Sequence, residues 1–104
     1  MNTLQELLDL VNETFVCDEN VYPDLKFLPQ DRHRNTVIKH STLHMMKSAG
    51  KLAGECEHYD HGGEFDDKIA KEAVLKNFAN LCKIASQLGM TEKDIYLGVP
   101  EIMK

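Results

Sequence analysis

The sequence lacks tryptophan entirely and holds only three prolines and three cysteines among its 104 residues. No window reaches the roughly 18 apolar residues that a membrane-spanning helix needs, so we expect no membrane partner. The start of the chain shows no basic segment followed by an apolar run, the pattern typical of a leader peptide. Together these absences predict a cytoplasmic protein.

The three cysteines, Cys17, Cys56 and Cys82, are odd in number and include no Cys-x-x-Cys pair. Neither a disulfide framework nor a zinc ribbon is therefore indicated. Cys56 and Cys82 fall on apolar helix faces, where we expect them to be small buried hydrophobic residues in a reducing compartment.

Positive charge is also limited, because the formal net charge is −5. A protein that binds duplex nucleic acid needs a broad basic face, so that class is not favoured. The composition, 42 % hydrophobic and 28 % charged, is that of a globular protein rather than a disordered one. A chain of this length is expected to form one domain with a modest core.

Strand-like alternation is missing over any length, so the fold is predicted to be all-α. Thr3 and Glu6 form a capping-box pattern at the start of the first helix, while Pro23 and Pro29 interrupt the helical period in a long connection. Helices are predicted at about 3–16, from 37 or 41 to 59, at about 64–88 and, shorter, at about 91–103, with the connection at 17–34.

Apolar residues recur at four- and three-residue steps along the third helix, which predicts a core-facing stripe. The stripe is Ala70, Val74, Asn77, Leu81, Ile84 and Leu88, and the second helix has its own apolar set at Met45, Met46, Ala49, Leu52, Ala53 and Cys56. Gly50 and Gly54 predict a close approach of a neighbouring helix, because glycine otherwise costs helix stability. We expect an antiparallel bundle of three main helices plus a short C-terminal helix, completed by dimerisation into a four-helix core.

Histidines on the second helix raise the question of a metal site. His40 and His44 lie one turn apart, as in helices that bind zinc through two imidazoles. His58 lies about 27 Å further along the helix and cannot share an ion with them. Half-buried or surface histidines are the favoured interpretation, and no metal site is predicted.

Asn77 is the one amide in the apolar stripe, so it needs a hydrogen-bond partner if it is buried. Two interpretations remain open: a structural amide that fixes the register of the helices, or a polar group that faces a pocket shared with Lys47 and Lys51.

The order of these elements resembles the MazG-type, all-α nucleoside triphosphate pyrophosphohydrolases. Three segments carry the resemblance: Lys-Ser-Ala-Gly-Lys-Leu at 47–52, Val-Leu-Lys-Asn at 74–77 and Leu-Gly-Met-Thr at 88–91. Arg34 and His40 are similar to residues that precede the second helix in some members. In that family, Glu-Glu-x-Gly-Glu-Leu and Glu-x-x-Asp supply four carboxylates that hold Mg²⁺ against the triphosphate.

The carboxylate positions read Ser48, Lys51, Val74 and Asn77 in this chain, which leaves no acid there. The resemblance therefore implies a catalytically degenerate or atypical member, without an expected cofactor, because lysines repel Mg²⁺. Lysine binds phosphate directly as a point charge. A nucleotide or other phosphorylated ligand would be bound by Lys47, Lys51, Asn77, His44 and Arg34.

Two alternatives from other classes stay open. One is an active, Mg²⁺-dependent pyrophosphohydrolase that uses the non-standard acids Glu55, Glu57 and Glu72. The other is a small helical adaptor or regulatory protein that has a protein partner and no ligand. A homodimer or higher homo-oligomer is expected in each case.

Overall fold

The structure, a computed structural model, describes residues 3–15 and 20–104. No strand occurs within these residues, so the predicted all-α class is confirmed. None of the described helices combines the length and the apolar character needed to cross a membrane. The elements in order are α1 (Leu4–Thr14), a 3₁₀ helix (Pro23–Phe27), α2 (Gln30–Asp60), α3 (Asp67–Gln87) and α4 (Glu92–Ile102).

Side-chain caps fix the starts of three helices. The Thr3 hydroxyl accepts a hydrogen bond from the backbone N–H three residues later at 3.1 Å, as the capping pattern predicts. Asp66 Oδ1 accepts a hydrogen bond from Lys68 N at 3.0 Å. At the start of α4, Thr91 N donates to Asp94 Oδ2 at 2.8 Å. These caps satisfy N–H groups that have no partner within the helix. Because Asp66 is the cap, α3 begins at Asp67 instead of near residue 64.

The helix α2 begins much earlier than predicted. It starts at Gln30, directly after Pro29, whereas the sequence predicted a start at 37 or 41. The Pro29 carbonyl accepts hydrogen bonds from two backbone N–H groups of the first turn, at 2.9 and 3.3 Å. The first turn is polar and exposed, so it shows no apolar period. The predicted connection at 17–34 therefore contains the 3₁₀ helix and the first turn of α2.

The helices α2 and α3 run antiparallel and form the most extensive helix pair of the fold. Small and polar side chains fill the space between them. Ser41 and Ser48 are buried on α2, and Ala70, Ala73 and Asn80 are buried on α3. The pair is thus packed through short side chains.

The helix α1 packs on α3 and contacts α4. Leu8 is 1 % exposed and forms the core of this contact with Cys82 and Ala85. Partly buried apolar residues surround that core, namely Leu4, Leu7, Val11 and Ile95.

Polar contacts also hold α1 in place. Gln5 N donates to Glu92 Oε2 at 3.0 Å, and Glu92 N donates to Gln5 Oε1 at 2.9 Å. At the other end of α1, the buried Lys83 donates from Nζ to the backbone carbonyl and the side-chain oxygen of Asn12, at 3.1 and 3.0 Å. A cation at the C-terminus of a helix interacts favourably with its dipole.

Half of the predicted apolar stripe of α3 faces solvent. Val74, Leu81 and Leu88 are about half exposed, whereas Ala70 is buried and Asn77 is half-buried. The prediction was wrong at the exposed positions because α2 packs on the neighbouring stripe of alanine and asparagine residues. The apolar set predicted on α2 is divided in the same way, with exposed members at Met46, Ala49, Ala53 and Cys56.

Two further predictions about small residues need correction. Cys82 is buried as predicted, but Cys56 is exposed, and Cys17 lies outside the described residues. A Cβ added at Gly50 or Gly54 would meet no atom within 4 Å, so neither glycine marks a close helix approach within the described part of the chain.

Candidate ligand-binding site

A groove of about 360 Å³ lies along one flank of the α2–α3 pair, and Phe15 closes one side of it. We call it the lysine groove. Its polar lining consists of His44, Lys47, Ser48, Lys51, Lys76 and Asn80. None of these residues is acidic, so the groove presents a positive surface.

The three lysines converge because of helical spacing. Lys47 and Lys51 are four residues apart on α2, so their side chains lie one above the other, and Lys76 approaches from the antiparallel α3. Lys76 Nζ pairs with Glu72 Oε1 at 3.1 Å across the helix surface. Lys47 and Lys51 form no hydrogen bond or ion pair with any described residue. Two ammonium groups are therefore available to an anion.

The floor of the lysine groove is polar and buried. Ser48 is 6 % exposed and Asn80 is 5 % exposed. Asn80 Nδ2 donates to the Lys76 carbonyl at 2.8 Å, while Asn80 Oδ1 is buried without a hydrogen-bond partner among the described residues. An unsatisfied buried acceptor costs stability, so a donor from a ligand or from a nearby lysine would stabilise this position.

A cluster of rings adjoins the lysine groove. Tyr22 Oη and His40 Nδ1 are hydrogen-bonded at 2.9 Å, and the rings of His40 and His44 are 4.4 Å apart between centroids. The Phe15 ring meets His40 edge-on at 6.0 Å. Burial, and then the charge of His44, lower the pKa of His40. Both effects favour the neutral form of the His40 ring, and His44 is the imidazole that lines the groove.

The residues predicted for ligand binding are only partly brought together. Lys47, Lys51 and His44 share the lysine groove. Asn77 does not line it, and its buried Oδ1 has no hydrogen-bond partner within residues 3–15 and 20–104. Arg34 is exposed near the start of α2, about 20 Å along the helix axis from Lys47, and so lies outside the groove.

Two polar lining residues on α3 were missed, and one position was misplaced. Lys76 and Asn80 lie on α3 at a spacing of four, and they became recognisable only once the α2-facing stripe of α3 was known. Val74, which we expected beside the lysines, lies instead in an apolar groove with Lys71 and Phe65.

The acids Glu55 and Glu72 line a second groove of about 400 Å³, next to the first, and Lys51 and Lys76 line it too. A hydrogen bond from Lys76, then its charge, lower the pKa of Glu72, and Lys51 acts in the same direction. Glu55 Oε1 accepts a hydrogen bond from Asp66 N at 2.9 Å.

Both carboxylates of this second groove are thus already engaged by groups of the protein. No group of three or more His, Cys, Asp or Glu side chains with metal-binding geometry occurs within residues 3–15 and 20–104. Mg²⁺ prefers carboxylates and water, and two carboxylates flanked by two ammonium groups are a poor donor set for it. No family model, curated protein or solved structure matched this chain.

Proposed function

We propose that this chain is a catalytically degenerate or atypical relative of the MazG-type pyrophosphohydrolases that binds a nucleotide or another phosphorylated ligand without metal. The convergence of Lys47, Lys51 and Lys76 in one acid-free groove carries the proposal. Ammonium groups replace the positive charge that Mg²⁺ supplies in the family, so the phosphate contacts lysine directly.

The remaining groups of the groove fit the same ligand. A charge-assisted hydrogen bond contributes about 1.5–3 kcal/mol where it is shielded from water. The lysines lie at the surface, so we assign about 1 kcal/mol to each, because solvent screens exposed charges. Asn80 Oδ1 can accept a hydrogen bond from a ligand hydroxyl or amine, and Phe15 offers an apolar side to the non-phosphate part.

The test is a calorimetric titration with pyrophosphate, ATP and dCTP in the presence of EDTA. We expect the wild type to bind at least one of them, and Lys51→Glu to weaken that binding at least tenfold, because it replaces an attraction with a repulsion. Lys93→Glu is the matched control, since it makes the same charge reversal at an exposed lysine of α4 outside the groove. Equal affinities for the wild type and Lys51→Glu would contradict the proposal.

A second candidate function is metal-dependent hydrolysis, and the shared groove of Glu55 and Glu72 is the observation in its favour. Glu57, the third acid considered, is exposed and does not line that groove. Release of pyrophosphate from nucleoside triphosphates in Mg²⁺ or Mn²⁺, lost in Glu72→Gln, would establish this function.

The adaptor hypothesis rests on the apolar surface of α4. Tyr96, Leu97 and Ile102 are 60, 65 and 81 % exposed. A specific protein partner without any ligand response would support it. The cytoplasmic location and the pairing of two copies both remain predictions from the sequence.

A further inference from the structure

Among the described residues that line the lysine groove, His44 is the one titratable side chain besides the lysines. Histidine ordinarily changes its charge between about pH 5 and 8, whereas lysine stays charged throughout this range. His44 is therefore the group through which the charge of the groove responds to pH near neutrality.

The charged side chains that share the groove with His44 are all positive. Lys47 and Lys51 lie on its own helix, and Lys76 comes from α3. Glu72, the ion-pair partner of Lys76, lines the second groove and not this one. Within the part of the chain that the structure describes, no carboxylate lines the lysine groove, so a bound anion brings the negative charge that the groove lacks.

The other elements near His44 contribute rings. Phe15, at the end of α1, lines the groove, and Tyr22, at the start of the 3₁₀ helix, is hydrogen-bonded through its hydroxyl to His40 Nδ1 at 2.9 Å. The rings of His40 and His44 are 4.4 Å apart between centroids, and His40 does not line the groove. Two imidazolium rings at this distance repel each other, so the pair favours a single proton. An anion in the groove favours that proton on His44.

We propose that the lysine groove takes up one proton together with its phosphorylated ligand, and that His44 carries this proton. The inference rests on the function proposed above. The proton passes from solvent to the unprotonated ring nitrogen of His44, and no covalent bond of the ligand changes. A phosphate next to the ring stabilises the imidazolium, and by thermodynamic reciprocity the imidazolium stabilises the bound phosphate to the same extent.

Proton uptake makes the site sensitive to pH in a defined direction. The contribution of His44 to ligand affinity increases as the pH falls from 8 to 6 and is lost as the pH rises again. The ligand acts in the opposite direction, because a phosphate group loses negative charge as the pH falls towards about 6. The two effects are separated by comparing variants of the protein with the same ligand, since the charge of the ligand is then identical.

The test is a calorimetric titration of the full chain with pyrophosphate, ATP and dCTP in EDTA, at pH 6 and at pH 8. The measured quantity is the dissociation constant at pH 8 divided by that at pH 6. We expect this ratio to be at least about threefold larger for the wild type than for His44→Gln. His61→Gln is the matched control, because it removes an exposed imidazole outside the groove, and it should keep the ratio of the wild type.

The two kinds of negative result have different meanings. If none of the three ligands binds at either pH, the proposed function is contradicted, and the proton-linked inference is overturned with it. If a ligand binds with equal ratios for the wild type and His44→Gln, the proton-linked inference alone is overturned, and phosphate binding by the lysines stands.

Nuclear magnetic resonance of the wild type gives a second measurement that does not depend on the folding of a variant. The ring signals of His44 are followed against pH, with and without saturating ligand. The ligand should raise the pH midpoint of this titration by about 0.5 pH unit or more. An unchanged midpoint overturns the inference, as does a rise at His40 in place of His44.

Discussion

Leu8→Ala should be the most damaging single truncation in the α1–α3 contact. Leu8 is 1 % exposed and lies between Cys82 and Ala85 of α3. Truncating a fully buried leucine removes its transfer free energy and leaves a cavity, which costs about 3 kcal/mol. The whole free energy of unfolding of a chain this long is about 5–15 kcal/mol, so the loss is a large fraction of it.

The assay is urea unfolding followed by far-UV circular dichroism, with thermal melts beside it. We expect the urea midpoint to fall clearly and the melting temperature to drop by about 15 °C. Leu97→Ala is the matched control, because Leu97 is 65 % exposed and its truncation should cost under about 0.5 kcal/mol. A loss below 1 kcal/mol for Leu8→Ala would refute the packing of α1 on α3 described here.

Three further predictions concern pH, glycine and thiol chemistry. Because the pKa of His40 is lowered in the folded chain, its contribution to stability is complete above the usual imidazole pKa of about 6.5 and is lost as the pH drops below that value. Urea midpoints should therefore fall more between pH 7.5 and 5.5 for the wild type than for His40→Gln. Parallel falls of the two midpoints would refute this prediction. Gly50→Ala should raise the free energy of unfolding by about 0.5–1 kcal/mol, since the added Cβ meets open space. Gly63→Ala should lower the free energy of unfolding, since the added Cβ would lie 2.5 Å from the His58 ring. Thermal melts that rank the two variants the other way would contradict the local geometry. Burial raises the pKa of the Cys82 thiol, so this thiol should react with a disulfide reagent only after the protein unfolds. Mass spectrometry of labelled peptides measures this reaction. Labelling of Cys82 in the native protein would be inconsistent with its burial.

The sequence predicted the features that depend on local chemistry. The caps at Thr3 and Thr91, and the glycine with φ of 70° at Gly89 that follows α3, are encoded within a few neighbouring residues. The first turn of α2 was missed because its hydrogen bonds go to the Pro29 carbonyl and its side chains are polar. Local signals thus located the helices, but not every boundary.

Features that depend on which faces meet were harder to predict. The apolar period of α3 identified Val74 and Leu81 as core residues, yet α2 packs beside them on a face that includes Asn80. Periodicity reports where a helix is apolar and not which partner covers it. Lys47 and Lys51 could be recognised from the sequence because both lie on one helix. Lys76 and Asn80 could not, because their place in the groove depends on which face of α3 meets α2.

The reciprocal hydrogen bonds between Gln5 and Glu92 have a consequence for how the chain unfolds. The first turns of α1 and α4 each contain an N–H group whose acceptor is a side chain on the other helix. Neither first turn is complete alone, so fraying that starts at either helix also exposes the opposite one. In native-state hydrogen exchange, these two amides should therefore open as one cooperative unit, although 87 positions separate them along the chain.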